Sequence, residues 1–390
     1  MSTTRTFPHV RVAGGPYERG RAYGAQAADR IARSVEAYRE VFRELAGLDV
    51  DGVRRLARRF EEPIASFRPT YLEEIRGIAE GAGVAYEDVL AINVRTEVMF
   101  AAKARSAEAV ARPEGCSAFA VLPEASADAR TLIGQNWDWL PHCFDTVVVL
   151  EVQQPEAPDF VTVVEAGLLA KTGMNSSGIG LATNALVTDR DLGEPAVPYH
   201  VLLRAILDCE TLSDAYAVLM ERLRASSGNY LIAHRDGIAV DVEAAPGDFS
   251  RLALVFPDAG VLLHTNHFLA LPLGLKDVSL WAMPDSPFRL ERLRSAVAAA
   301  RKGGLTLETF GAILADHANY PSGLCCHPDR RMRPADQGAT VASVLMDLDA
   351  RCLWLADGYP CTTPYRRLDY RAFLSKPSPV RDDMPMVGSG

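Results

Sequence analysis

The stretch Gly115-Cys116-Ser117-Ala118-Phe119-Ala120-Val121-Leu122-Pro123, followed by Leu132-Ile133-Gly134-Gln135-Asn136-Trp137-Asp138, decides how this chain is read. Two apolar, strand-like runs flank a polar turn over 123–130 and predict an antiparallel hairpin. A turn centred near residues 126–128 pairs residues whose numbers sum to about 254. That register sets Asp138 beside Cys116, and a slip of one residue sends Asp138 to the other face.

A cysteine at the head of a strand needs a base before it can act as a nucleophile. A thiol of ordinary pKa, ~8.5, is only slightly ionised at neutral pH. The next histidine along the chain, His142, lies beyond the hairpin. A cut before Cys116 supplies a base on the nucleophile's own residue, an α-amine of pKa about 7.7–8.0. Asp138 would then hold that amine. Gly115 suits such a cut, because a residue without Cβ tolerates strained backbone angles and exposes its carbonyl to the thiol. Two rivals stand beside this reading. Cys116 could work uncut with His142 or His264 as base, or it could be a buried core thiol at a strand start.

The 390 residues are 48% hydrophobic and 23% charged, which excludes disorder and low-complexity scaffolds. A net charge of −9 implies no basic surface, so nucleic acid is not an expected partner. No run of 18 apolar residues is present, and the first residues lack an apolar core of signal-peptide length, so a cytoplasmic location without membrane contact is expected. The seven cysteines are odd in number and include no CxxC, which argues against a disulfide framework or a zinc ribbon. His264 and His267, three apart on a strand, should face opposite ways. Cys325-Cys326-His327 is crowded, but adjacent residues rarely chelate one ion. No metal is therefore expected.

Helical spacing covers 22–46, 51–60, 70–79 and 88–102. Short apolar runs then read as strands near 117–122, 131–135, 146–152, 160–164 and 179–182. Helices follow at 198–207 and 213–223, and strands at 230–234, 238–242, 252–256 and 261–264. Helices at 289–300 and 307–315 precede a closing hairpin over 340–347 and 352–356. The tail after Lys376 is Pro-rich and predicted to be poorly ordered. Hairpin-type connections point to antiparallel sheets covered by helices, in an α+β chain with no linker that separates domains.

Gly115-Cys116 followed by Gly134-Gln135-Asn136-Trp137-Asp138 resembles the isopenicillin N acyltransferase family of N-terminal-nucleophile enzymes. Further stretches match in the same order: Tyr71–Ala79, Asn93–Glu97, Glu165–Gly167, Gly173–Gly178, Asn184–Leu186, His264-Thr265-Asn266-His267, Asp285-Ser286, Asn319–Pro321 and Gly338–Thr340. Together they span roughly residues 10–360.

The resemblance implies a four-layer αββα sandwich of two antiparallel sheets. It also implies self-cleavage between Gly115 and Cys116, leaving an α chain 1–115 and a β chain 116–390 that stay together. Cys116 carries over as nucleophile, Asp138 as the acid near its amine, and Asn266 and Asn184 as oxyanion donors. Gln135, Trp139 and Gln337 carry over as substrate-contacting positions. Where the acyltransferases have Ser-Arg before Gly-Ala-Thr, this chain has Asp336-Gln337, a departure that counts against penicillin chemistry unless Arg331, Arg333 or another cation substitutes from nearby. The implied activity is hydrolysis of a linear amide of a small molecule through a thioester. Acyl-coenzyme A-dependent N-acylation is the alternative, and a non-catalytic binding descendant a further one. No cofactor is required, although acyl-coenzyme A could be a substrate. A homo-oligomer is compatible with all of this.

Overall fold

Apolar residues at spacings of three and four fold the first hundred residues into helices behind one short strand, β1 (His9–Ala13). The helices are α1 (Pro16–Gln26), α2 (Ala28–Ala46), α3 (Val50–Arg58), α4 (Glu61–Phe67), α5 (Pro69–Ala82), α6 (Tyr86–Asn93) and α7 (Arg95–Ser106). The computed structural model describes residues 5–106 and 115–376, so the tail after Lys376 lies outside the described residues. The helix expected over 22–46 is two helices that change direction at Ala27 (φ −111°, ψ 17°). The one expected over 88–102 breaks at Val94. There the Asn93 side chain is drawn away to the Gly167 carbonyl (2.8 Å) and the Leu169 N–H (3.1 Å).

The remaining chain alternates strands and helices. It runs through β2 (Gly115–Val121), β3 (Leu132–Trp139), β4 (Val147–Gln153), β5 (Phe160–Glu165), β6 (Thr172–Asn175), β7 (Ile179–Ala185), α8 (Tyr199–Leu207) and α9 (Leu212–Ala217). It continues with β8 (Gly228–His234), β9 (Ile238–Ala244), β10 (Leu252–Val255), β11 (Val261–His264), α10 (Ser279–Ala282), α11 (Ser286–Ala300) and α12 (Leu307–Leu314). It closes with β12 (Ala339–Asp347), β13 (Cys352–Ala356) and β14 (Arg366–Asp369). β1, β6 and β14, of four or five residues each, are strands that the apolar runs did not mark.

Two sheets result. One has the order β1-β4-β5-β6-β7-β8-β9-β10 and the other β11-β2-β3-β12-β13-β14. All pairs are antiparallel except β1 with β4, so the first sheet is mixed rather than purely antiparallel. The sheets face each other where β7 packs across β2 and β3. α8 and α9 lie on β6, β7 and β8, with the N-terminal helices continuing that layer, while α11 and α12 cover β2, β3, β11 and β12. This is the expected αββα order. β2 is buried on both faces, which explains its continuous apolar run. Cys116, Ala118 and Ala120 join the core between the sheets, and Phe119 and Val121 join the cluster under α11 and α12.

Helix α1 crosses α5 through a pair of glycine spacings. A Cβ on Gly24 would lie 2.2 Å from the Ile78 carbonyl oxygen, and one on Gly77 would lie 2.3 Å from that of Tyr17. The backbones touch, so no side chain can yield. Gly77→Ala should destabilise the chain by about 1–3 kcal/mol through overpacking. Gly303→Ala, which meets nothing within 4 Å, should change it by less than about 0.5 kcal/mol. Urea unfolding midpoints of the two variants check this contrast.

Candidate active site

Strand β2 lies between β11 and β3, so the backbone at its head is flanked on both sides. The hairpin pairs Gly115 with Asp138 and Cys116 with Trp137, a register one residue away from that expected. The ladder closes at Val121 with Leu132, and the loop therefore centres between residues 126 and 127. The slip turns Asp138 to the face opposite Cys116. The Cys116 side chain, 4% exposed, points between the sheets with Trp137. Asp138 points toward α11 and packs against Gly115. A Cβ on Gly115 would lie 2.9 Å from Asp138 Oδ2. The carboxylate thus occupies the space of a residue-115 side chain, which is a steric reason for glycine there.

Asp138 is buried. Its Oδ1 accepts the Thr340 hydroxyl at 2.5 Å, and its Oδ2 has no hydrogen-bond partner among the described residues. Burial raises its pKa to about 6, against the opposing pull of the Arg289 guanidinium and the Thr340 hydroxyl.

The backbone of residue 116 is clamped. Its N–H donates to Asn266 Oδ1 (2.7 Å), and its carbonyl accepts from Asn184 Nδ2 (3.1 Å) and Arg289 Nη1 (2.9 Å). Partner chemistry fixes both amide orientations. Asn266 Oδ1 faces two obligate donors, Cys116 N–H and Arg289 Nη2 (3.0 Å), while its Nδ2 donates to the Ala185 carbonyl (3.0 Å). Asn266 therefore presents its oxygen to residue 116, not the N–H expected of an oxyanion donor. Asn184 does present its N–H, and its Oδ1 accepts from Asn229, which donates also to Asp241.

Arg289 is the residue that sequence reading missed. It projects from α11, is 2% exposed, and also bonds Ser117 Oγ (3.1 Å) and Asp285 Oδ2 (2.6 Å). Burial lowers its pKa, but Asp285 and Asp138 more than reverse this. Its signal in the sequence is the Asp285–Arg289 spacing of four on a helix, just after the matched Asp285-Ser286. Arg331 and Arg333, the expected stand-ins for the family arginine, are exposed and pair with Asp329 and Asp336 instead. A second missed cation, buried Lys171, lies 4.8 Å from the ring centre of Trp137 in the inter-sheet space.

The three expected substrate-contacting positions are otherwise engaged. Gln135 is fully buried and its Oε1 accepts from Thr172 (2.8 Å) and the Thr183 N–H (2.7 Å), tying β3 to β6 and β7. Trp139 is buried, donates to Tyr38 (2.8 Å) and stacks under Arg95. Gln337 is half-buried and donates to the Met332 carbonyl (3.1 Å). The rival histidine bases are also committed. His264 has both ring nitrogens on acceptors, Glu243 (2.7 Å) and the Thr265 carbonyl (2.6 Å), which holds it as an imidazolium. His142 bonds Glu165 at 3.0 Å. His267 bonds Ser286 (2.8 Å) and the Thr265 hydroxyl (3.4 Å), whereas His264 meets the Thr265 carbonyl.

The layered α+β scaffold thus carries a cysteine at the head of a central strand, its backbone held by two asparagines and an arginine. Residues 125–360 match the model of the acyl-coenzyme A:6-aminopenicillanic acid acyl-transferase family, and the chain belongs to that family. It is 27% identical to an acyl-coenzyme A:6-aminopenicillanic-acid-acyltransferase 40 kDa form from Emericella nidulans, over 87% of this chain and 89% of that one. An uncharacterized protein from Archaeoglobus fulgidus is 24% identical over 88% of this chain, which spans 62% of that protein. Among solved structures, a mutant of conjugated bile acid hydrolase from Clostridium perfringens is 14% identical, with a TM-score of 0.46 over 67% of this chain and 95% of that one. Penicillin V acylase from Agrobacterium tumefaciens gives 14% identity and a TM-score of 0.40 over 67% and 88%. No described helix is long and apolar enough to cross a membrane.

The raised pKa of Asp138 has a stability consequence. The folded chain binds this proton more tightly than the unfolded chain does, whose carboxyl titrates near its ordinary value. Its contribution is therefore fully present below about pH 4 and is lost as pH rises through about 6. Asp138→Asn keeps an acceptor for Thr340 and removes the titration. Subtracting the pH–stability curve of this variant from that of the unprocessed wild-type chain should leave a fall on the order of 2–3 kcal/mol between pH 4 and 7. A flat difference would refute the assignment.

Proposed function

We propose that this chain is a self-processing N-terminal-cysteine enzyme that cleaves or forms a linear amide of a small molecule through a thioester. The observation that carries the reading is the clamp on the backbone of residue 116, with an acceptor on its nitrogen and two donors on its carbonyl. A core cysteine ordinarily takes these bonds from the backbone of a neighbouring strand, whereas here side chains supply them, as suits a nucleophile that becomes a chain end and must be held after the preceding bond is gone.

In the proposed maturation the Cys116 sulfur attacks the Gly115 carbonyl carbon. The C–N bond to residue 116 breaks, its nitrogen takes the thiol proton, and a thioester links residues 115 and 116. Water then attacks the thioester carbonyl, the C–S bond breaks, one water proton goes to the sulfur, and the other, released as the Gly115 carboxyl ionises, goes to the new α-amine to give an ammonium beside a free thiol. Asp138 lies against Gly115, on the side where the new ammonium forms, and its unpartnered Oδ2 can take that charge. Asn266 Oδ1 already holds the nitrogen and orients the amine.

In the proposed turnover the amine takes the thiol proton as the sulfur attacks a substrate carbonyl, then gives it to the leaving nitrogen. Asn184 Nδ2 supports the oxyanion. Asn266 joins it only by exchanging its Nδ2 from the Ala185 carbonyl. Water or a bound amine releases the acyl group. The cycle as written calls on no metal or cofactor. Acyl transfer from acyl-coenzyme A is the second reading, supported by the family match. The uncharged Gln337, engaged with Met332, does not support a penicillin nucleus as acceptor.

Intact-mass measurement tests maturation. The purified chain should convert to pieces of 115 and 275 residues, while Cys116→Ala stays whole. Wild type that stays whole through prolonged incubation, with Gly115→Val equally active on amide and thioester panels, would overturn the reading. In the processed enzyme, Asn184→Ala should lower kcat about 100- to 1,000-fold with little change in KM.

A further inference from the structure

Two loops at one end of the six-stranded sheet bring together four side chains that the site above does not use. His317 follows α12, Cys325 and His327 lie in the connection from α12 to β12, and Cys361 lies between β13 and β14. Their four ligand atoms lie within 4.8 Å of one another. His317 Nε2 is 3.1 Å from His327 Nε2, and His327 Nε2 is 3.5 Å from Cys325 Sγ and 3.6 Å from Cys361 Sγ. We propose that His317, Cys325, His327 and Cys361 form a Cys2His2 site for a tetrahedral divalent cation of the zinc type.

The distances carry the argument. Zinc bonds of about 2.3 Å to sulfur and 2.0–2.1 Å to nitrogen, at tetrahedral angles, separate two nitrogens by about 3.3 Å and a nitrogen from a sulfur by about 3.6 Å. The observed separations match those edges. Hydrogen bonding accounts for the grouping less well, because His327 Nε2 carries either one proton or one in-plane lone pair and can make one good hydrogen bond among three neighbours. A two-thiolate, two-imidazole set suits zinc by both softness and geometry. Binding would release the two thiol protons to solvent, place one sulfur lone pair from each thiolate on the metal, and leave both histidines neutral.

The surroundings hold the ligands in place. Tyr359 stacks on the His327 ring at 4.4 Å between centres and 16° between planes. The Cys325 N–H donates to the Asp316 carbonyl (3.0 Å) and the His327 N–H to that of Pro321 (2.9 Å). Sequence adjacency argued against chelation by Cys325-Cys326-His327. The fold resolves this by turning Cys326 away toward the Gly338 carbonyl and by adding His317, from the start of the same connection, and Cys361, from the β13–β14 loop. The Cys326 N–H meanwhile donates to Thr340 Oγ1 (2.8 Å), the hydroxyl that bonds Asp138. A bound cation would brace the segment behind that carboxylate.

The test uses the full-length Cys116→Ala chain, so that processing and turnover do not enter. After growth with added zinc and exhaustive dialysis, elemental analysis should find about one zinc per chain. His317→Ala, an exposed position suited to preserving the fold, and Cys361→Ser should each lose most of it. Cobalt loading should give the intense red-region absorption of a tetrahedral thiolate site, absent in both variants. A chelator should lower the melting temperature of the parent and leave that of the variants unmoved. Dialysed parent without zinc, cobalt only in an octahedral spectrum, or a Cys325–Cys361 disulfide in peptide maps of freshly reduced and reoxidised protein would each overturn the proposal.

Discussion

The peptide groups of residue 116 are the point on which three layers of this molecule converge. The acceptor on its nitrogen, Asn266, follows β11 in the same sheet. The amide donor on its carbonyl, Asn184, comes from β7 in the facing sheet, and the guanidinium donor, Arg289, comes from a helix outside both. These groups are buried, so each must be satisfied by another, and leaving one charge unpaired would cost roughly 3–5 kcal/mol. The layers cannot shift independently without breaking the clamp. Residue 116 is thus positioned by the packing of the whole scaffold rather than by a flexible loop.

The face on which each group stands was only partly legible in the sequence. The hairpin, its polar turn and most strands could be read from apolar runs and turn chemistry. The register could not. Whether Asp138 opposes Gly115 or Cys116 depends on where the ladder closes, and Val121 with Leu132 is fixed by both strands being buried on both faces. Burial of both faces removes the alternation that would have reported the slip. Arg289 shows a different limit. Its spacing from Asp285 is visible, but that pattern ordinarily marks a solvated helix face. Only the landing of α11 on β2 makes it an interior cation. The proposed cation site was only half legible for a similar reason: Cys325 and His327 stand out as a crowded pair, but 44 positions separate His317 from Cys361 and the topology alone brings all four together.

Asp138 depends on a local irregularity as much as on the fold. In β12, Ala342, Val344 and Met346 face the space between the sheets. Simple alternation would send Thr340 to that same face, away from the carboxylate. The register shift between Thr340 and Ala342 reverses the parity, so Thr340 opposes Asp138 and its hydroxyl reaches Oδ1. A bulge beside a buried carboxylate re-aims one side chain without disturbing the strand beyond it. The result is a carboxylate with one oxygen satisfied by a neutral donor and the other left over Gly115. Burial without full satisfaction is what keeps this group's proton affinity high. Cleavage of the bond after Gly115 would create a positive charge beside the one carboxylate oxygen that lacks a partner, so the cost of burying Asp138 in the precursor becomes a driving force for making the new chain end.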